Sequence, residues 1–176
     1  GVEIIQIGHL PIHGCIACGH CQTSEGNWCV FTDDIVNAVS AQMRAADGLI
    51  LASPTYFAGV TGSLKSFLDR VFMSGWRKFR LKVATSVAAV RRAGGVDVVH
   101  QLNDFLELAE TVIPPSQYWT LAFGMEKGEV LQDGEGTQTL RKNARAMAWL
   151  MRRIEAGKGK VPIPEDEPRE ITNFIR

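Results

Sequence analysis

Residues 47 to 72 read DGLILASPTYFAGVTGSLKSFLDRVF, and the order of patterns within them decides the fold. The opening DGLILAS is a short run of Leu and Ile among small residues, the pattern of a strand buried on both faces. The closing GSLKSFLDRVF (62 to 72) sets Leu64, Phe67, Leu68 and Val71 at spacings of three and four, the stripe of an amphipathic helix, with Ser63 as its expected cap. Between them SPTYFAGVTG (53 to 62) supplies a proline, two aromatics and two glycines. A strand that enters a helix through such a loop is half of a β-α-β unit.

The alternation repeats along the chain. VEIIQI (2 to 7), LKVATSVAAV (81 to 90) and QYWTLAF (117 to 123) are further expected strands. TDDIVNAVSAQMRAA (32 to 46) is an expected helix, with Thr32 as cap, Asp33 and Asp34 in the first turn, and Ile35, Val39, Met43 and Ala46 along one stripe. GVDVVHQLNDFLELAE (95 to 110) and GTQTLRKNARAMAWLMRRIE (136 to 155) complete the set. Strands alternating with helices imply parallel strands joined by right-handed crossovers, hence a doubly wound α/β sheet in one domain over residues 1 to 156. The tail, residues 157 to 176, is rich in Pro and charge. It is expected to run over the surface, with Ile171, Phe174 and Ile175 docking on this or a neighbouring subunit.

Lys plus Arg and Asp plus Glu both number 19 in the 176 residues, so the broad positive field that recruits nucleic acid is missing. The basic stretch 141 to 153 reads as a solvated helix face. No apolar run has membrane-spanning length and no signal-like start precedes the first strand, which points to a cytoplasmic protein with neither nucleic acid nor membrane as partner. A small molecule or a redox protein is the expected partner.

All four cysteines lie within residues 15 to 29, at the spacing C-x2-C-x2-C-x7-C: Cys15, Cys18, Cys21 and Cys29, in a loop over 13 to 31. A chain of this length needs no disulfide staples, and clustered thiols in a reducing compartment mean metal or redox chemistry. Two successive intervals of three let a tight loop aim three thiolates at one centre. The stretch to Cys29 contains Gly26 and Asn27, which can reverse the chain. The spacing favours one 4Fe-4S cluster. Zinc ranks second, because its usual signature is two C-x2-C pairs a long loop apart, and free or reversibly oxidised thiols stay open. His13 and His20 read first as ordinary loop histidines and second as substitute ligands. Trp28 either shields the site or only packs.

Open α/β sheets bind ligands beyond the carboxyl ends of their strands. There, SPTYFAGVTG offers exposed N–H groups and flat apolar side chains that suit a planar heteroaromatic ring, or else Tyr56 and Phe57 simply pack. AAVRRAGGVD (88 to 97) sets Arg91 and Arg92 beside Gly94 and Gly95 at a helix start, where negative charge is favoured. Glu126, Glu129 and Asp133, after the last strand, either line the cleft or solvate a loop, the second being preferred.

The combination of SPTYFAGVTGSLKSFLDR, VRRAGG and a cysteine loop followed by DD resembles the iron-sulfur flavoprotein branch of the NAD(P)H-dependent FMN reductase superfamily, over residues 2 to about 155. The resemblance implies a flavodoxin-like, three-layer α/β/α fold. It implies an FMN ring against Pro54, Thr55, Tyr56, Phe57, Ala58 and Gly59, with Arg91, Arg92, Gly94 and Gly95 near the pyrimidine end. It also implies a 4Fe-4S cluster on the four cysteines and assembly into homodimers or homotetramers. Members normally begin with another strand and a G-S-x-R-x-x-x-[SN]-[ST] phosphate loop, and the 176 residues contain neither. The chain is therefore expected to be part of a longer protein; were it complete, FMN binding would be in serious doubt.

The expected function is electron transfer between NAD(P)H or a protein donor, FMN, the cluster and an acceptor. No side chain is singled out as catalytic, since the chemistry belongs to the cofactors. A cluster-free NAD(P)H:quinone or flavin reductase is the first alternative, and a zinc-binding or thiol-sensing module without enzymatic activity is the second. No motif names the donor or acceptor; GVTG and RRAGG do not match G-x-G-x-x-G.

Overall fold

The computed structural model describes residues 1 to 172, 174 and 175. Its elements are α1 (His20–Thr23), α2 (Val36–Ala45), β1 (Gly48–Pro54), α3 (Gly62–Gly75), β2 (Val83–Val90), α4 (Gly95–Leu108), β3 (Leu121–Phe123) and α5 (Gly134–Gly157), with single 3-10 turns at Trp76–Phe79 and Glu129–Gln132. β1 pairs with β2 in parallel, Gly48 opposite Val83 through Pro54 opposite Ala89. β3 joins the other side of β2, also parallel, with Leu121 opposite Ala88.

Two hydrogen bonds place the helix layers. The Thr85 hydroxyl donates to Asn143 of α5, while that of its neighbour Ser86 donates to Asn103 of α4. Successive strand side chains point to opposite faces, so α4 and α5 cover opposite faces of the sheet. The main core lies on the α4 side, where Leu49, Leu51, Ala88 and Val90 meet Leu68 and Val71 of α3 and Val98, Leu102 and Leu106 of α4. Each such large aliphatic side chain contributes about 1.5–3 kcal/mol by leaving water. Phe72 holds the corner, 5.2 Å from both Phe79 and Phe105 between ring centres. On the α5 face, Gly136 lies against Ala122, and a Cβ there would stand 2.9 Å from the Ala122 Cα, so the helix start approaches β3 only as glycine.

Four local expectations are corrected. Residues 2 to 7 form no strand: no described strand lies beside them to complete a hydrogen-bond ladder, Val2 and Ile4 are exposed, and only Ile7 enters the core. The last strand shrinks to Leu121–Phe123; before it the chain meets β2 at an isolated bridge, Val83 to Val112. α2 starts at Val36 without a Thr32 cap; Asp34 accepts from the Val36 N–H at 3.0 Å instead. α3 is capped by Thr61, not Ser63, through the Leu64 N–H at 3.4 Å.

The tail follows the surface, with Arg80 donating to the carbonyls of Pro164 and Glu165. Ile171, Phe174 and Ile175 are largely exposed. Among the described residues no helix is long and apolar enough to cross a membrane.

Candidate functional site

The loop after β1 closes on itself and is locked by two neighbours. Tyr56 and Gly59 exchange backbone hydrogen bonds of 3.0 and 2.9 Å. Between them Phe57 and Ala58 both take left-handed backbone, φ 49 and 57. That conformation costs about 1–2 kcal/mol for each non-glycine residue, so the surroundings must enforce it. Gln101 of α4 does so from one side, accepting from the Val60 N–H at 3.2 Å and donating to the Ala58 carbonyl at 3.4 Å. Gly94 does so from the other. Its φ is +82, and a Cβ on it would stand 2.8 Å from the Ala58 Cα and 3.4 Å from the Thr55 methyl. Ser53 closes the base, accepting from the Thr61 N–H at 3.2 Å.

The result is a stiff rim at the carboxyl ends of β1 and β2. Tyr56 and Phe57 project into solvent, and the Thr55 hydroxyl is buried with no hydrogen-bond partner among the described residues. An unmatched buried hydroxyl costs about 1–3 kcal/mol, and a polar ligand edge is what would satisfy it. Pro54 to Gly59 and Gly94 thus come together, as the sequence suggested. Gly95, the first residue of α4, is buried against Val90. Arg91 and Arg92 are exposed beside this rim, and among the described residues no ion pair or hydrogen bond holds either guanidinium.

The four cysteines line a single cavity of about 120 Å³ at the far end of α3, closed by Phe31, Arg70, Met73 and Ser74. They are held unequally. Cys15 and Cys18 are exposed on irregular backbone, where Ala17 and Gly19 take positive φ. Cys21, on α1, is buried; burial pushes its thiol up, and the charge of Cys29, Cys15 and Cys18 pushes the same way, partly offset by a backbone hydrogen bond. As thiolates, four sulfurs around one cavity would repel one another, and a metal centre would supply the opposing charge.

Cys29 is fixed most firmly. Asn37 of α2 accepts from its N–H at 3.0 Å and donates to its carbonyl at 2.9 Å, while Arg70 Nε donates to its sulfur at 3.1 Å. Arg44 latches the rest of the loop, donating to the carbonyls of Gly26 and Asn27 at 2.6 and 2.7 Å with its guanidinium 3.9 Å over Trp28. Trp28 therefore packs against Arg44 rather than lining the cavity. Neither His13 nor His20 borders it. Among the described residues, no three Cys, His, Asp or Glu side chains converge closely enough for a single ion. The four thiols share the cavity lining with the Gln22 amide and the Ser74 hydroxyl, and thiolates are the usual ligands of iron-sulfur clusters.

Arg70, Asn37, Arg44 and Gln101 were not singled out by sequence reading. Arg70 alone left a trace there, as the cation at position nine of the helix, next to the apolar stripe of Leu64, Phe67, Leu68 and Val71. Glu129 serves its own turn, accepting from the N–H groups of Met125 and Glu126, and Asp133 caps α5; neither lines the rim.

A parallel sheet between two helix layers, with its connecting loops gathered at the carboxyl ends of the strands, defines a flavodoxin-like protein. Solved structures agree: the flavodoxin, WrbA-like protein from Agrobacterium tumefaciens superposes with TM-score 0.52 at 21% identity over 64% of this chain and 71% of that one. The Trp repressor binding protein from Bacillus subtilis gives 0.54 at 21% over 66% and 71%. The profile described as NADPH-dependent FMN reductase matches residues 1 to 126. An iron-sulfur flavoprotein of Methanocaldococcus jannaschii is 30% identical over 87% of this chain and 82% of its own, and one of Methanosarcina thermophila 26% identical over 90% and 82%. The chain belongs to the NADPH-dependent FMN reductase family, in its iron-sulfur flavoprotein branch.

Proposed function

We propose that this chain is an FMN-dependent oxidoreductase that couples the flavin to a 4Fe-4S cluster for electron transfer. The observation that carries the reading is the gathering of all four thiols of the chain around one cavity. The names of the relatives, iron-sulfur flavoproteins, support it. When bound, a flavin takes electrons in pairs and a cluster takes them singly, so the two together divide a pair into single electrons.

The chain's own residues position both groups. Cys15, Cys18, Cys21 and Cys29 hold the cluster. Pro54 to Gly59, kept in shape by Gln101 and Gly94, form the wall for the ring, Phe57 and Tyr56 exclude water from its face, and the Thr55 hydroxyl meets its polar edge. Arg91 and Arg92 bring positive charge to the pyrimidine end, where it favours the anionic reduced ring. The rim precedes the first turn of α3 and the cavity borders its last, about 16 Å along the axis from Gly62 to Met73 at 1.5 Å per residue. NAD(P)H or a protein is the donor, a quinone, oxygen species or redox protein the acceptor, and a homodimer or homotetramer in the cytoplasm the working form.

The test is the absorption spectrum of protein purified without oxygen, with iron and acid-labile sulfide analysis. Flavin bands over a broad shoulder that bleaches with dithionite, and about four iron and four sulfide per chain, are expected. Flavin without iron would instead make this a two-electron reductase; zinc without colour would overturn the reading altogether.

A further inference from the structure

Arg70 is 1% exposed, the largest fully buried side chain among the described residues, and on the buried face of its helix Ser74 is the one other polar side chain. Burying a guanidinium costs several kcal/mol unless every donor is matched. All five are. Nε donates to the Cys29 sulfur at 3.1 Å; Nη1 donates to the His13 carbonyl at 3.3 Å and to Asp34 Oδ2; Nη2 donates to the Phe31 carbonyl at 3.3 Å and to Asp34 Oδ1 at 3.1 Å. The ring of Phe31 lies 5.1 Å from its charge.

One of these acceptors is out of place in a purely structural network. Asp34 and two carbonyls are strong acceptors, whereas the sulfur of a neutral thiol is a weak one. Spending a buried, charged N–H on it makes sense when the sulfur carries negative charge, as a metal-bound thiolate does. Cys29 is also the cysteine whose backbone Asn37 clamps on both sides, so its sulfur is held in place before any metal binds. Cys15 and Cys18, on the exposed side, have no such partner among the described residues.

We propose that Arg70 is a positioning residue for the cluster: its Nε–H fixes the Cys29 sulfur and its charge, balanced by Asp34, sets the reduction potential. The proposal rests on the cysteines being cluster ligands. Reduction adds negative charge at the sulfurs, and a cationic donor aimed at one of them favours the reduced state. Loss of the donor therefore lowers the potential, and loss of the opposing Asp34 charge raises it.

The experiment compares wild type, Arg70→Lys and Asp34→Asn, each first analysed for iron and then titrated with redox dyes while the reduced cluster is followed by electron paramagnetic resonance. Arg70→Lys keeps a charge but loses the fork, and its midpoint is expected to fall by at least a tenfold change in the reduced-to-oxidised ratio, 59 mV for one electron. Asp34→Asn is expected to move it the other way. A merely structural role would shift both alike or neither, and iron-loaded variants with the wild-type midpoint overturn the proposal. Wild type without iron overturns the cysteine reading itself. Should the variants lose the cluster, unaltered protein labelled with 15N only in arginine decides. A 15N coupling in the pulsed spectrum of the reduced cluster is expected, and its absence overturns the proposal.

Discussion

Gly94→Ala tests whether the two loops at the carboxyl ends of β1 and β2 depend on one contact. At φ +82 an alanine pays about 1–2 kcal/mol for left-handed backbone. Its Cβ would stand 2.8 Å from the Ala58 Cα and 2.9 Å from the Ala58 Cβ, inside any tolerated contact, and overpacking of this kind costs about 1–3 kcal/mol. The two add to about 2–5 kcal/mol, because the strained Phe57–Ala58 turn has no other way to relieve the clash than to leave Gly94. With a urea slope of about 2 kcal/mol/M the midpoint falls by about 1–2.5 M, read by tryptophan fluorescence. Gly95→Ala is the control. No positive φ is required there, and its Cβ would meet only the Val90 side chain at 3.0–3.1 Å, so gained helix propensity offsets part of the cost. The reasoning is refuted if Gly94→Ala loses less than about 1 kcal/mol, or no more than Gly95→Ala. Flavin affinity, by quenching of FMN fluorescence, is expected to fall with Gly94→Ala and to hold with Gly95→Ala.

Arg44→Ala removes two charged hydrogen bonds and the stack on Trp28, a loss of about 2–4 kcal/mol; faster proteolysis between Cys21 and Cys29 and a red-shifted Trp28 emission check it, and an unchanged cleavage rate would count against the latch. Asn143→Ala strands the buried Thr85 hydroxyl and Pro114 carbonyl and is expected to cost about 2–4 kcal/mol in urea unfolding, a neutral result arguing against the α5 anchor. Asp133 accepts from the N–H groups of Gly136 and Phe123, which hold its carboxyl below the usual range. Its contribution is therefore complete above the ordinary value of about 3.9 and lost as pH falls through the lowered one. Asp133→Ala should cost about 1 kcal/mol at neutral pH, and the gap to wild type should close in acid; a gap that persists there would show that charge plays no part.

The alternation of patterns and the contrast between period-two and helical runs were legible because both depend on spacing within a dozen residues. They placed β1, β2 and all four long helices, the two loops at the strand ends and the clustering of thiols, since these are properties of contiguous segments. The strand expected over residues 2 to 7 was not, because an apolar run becomes a strand only when another backbone lies beside it to accept its ladder. Caps missed for the same reason: Thr32 had the right chemistry, but Arg70, 38 positions on, draws Asp34 and the chain before α2 into a different path.

Thus the order of β1, β2 and the long helices, the loops at the strand ends and the cysteine spacing were determined by the sequence alone, where each feature is a short stretch whose chemistry is local. Only the tertiary structure decided which of those stretches share a site. It brought Gly94 against Ala58 across two loops, set Gln101 and Asn37 as clamps, and buried Arg70 against Cys29 from a helix 41 positions later. Such contacts depend on how the layers pack, and no spacing rule encodes a hydrogen bond between residues that meet only after the sheet has formed.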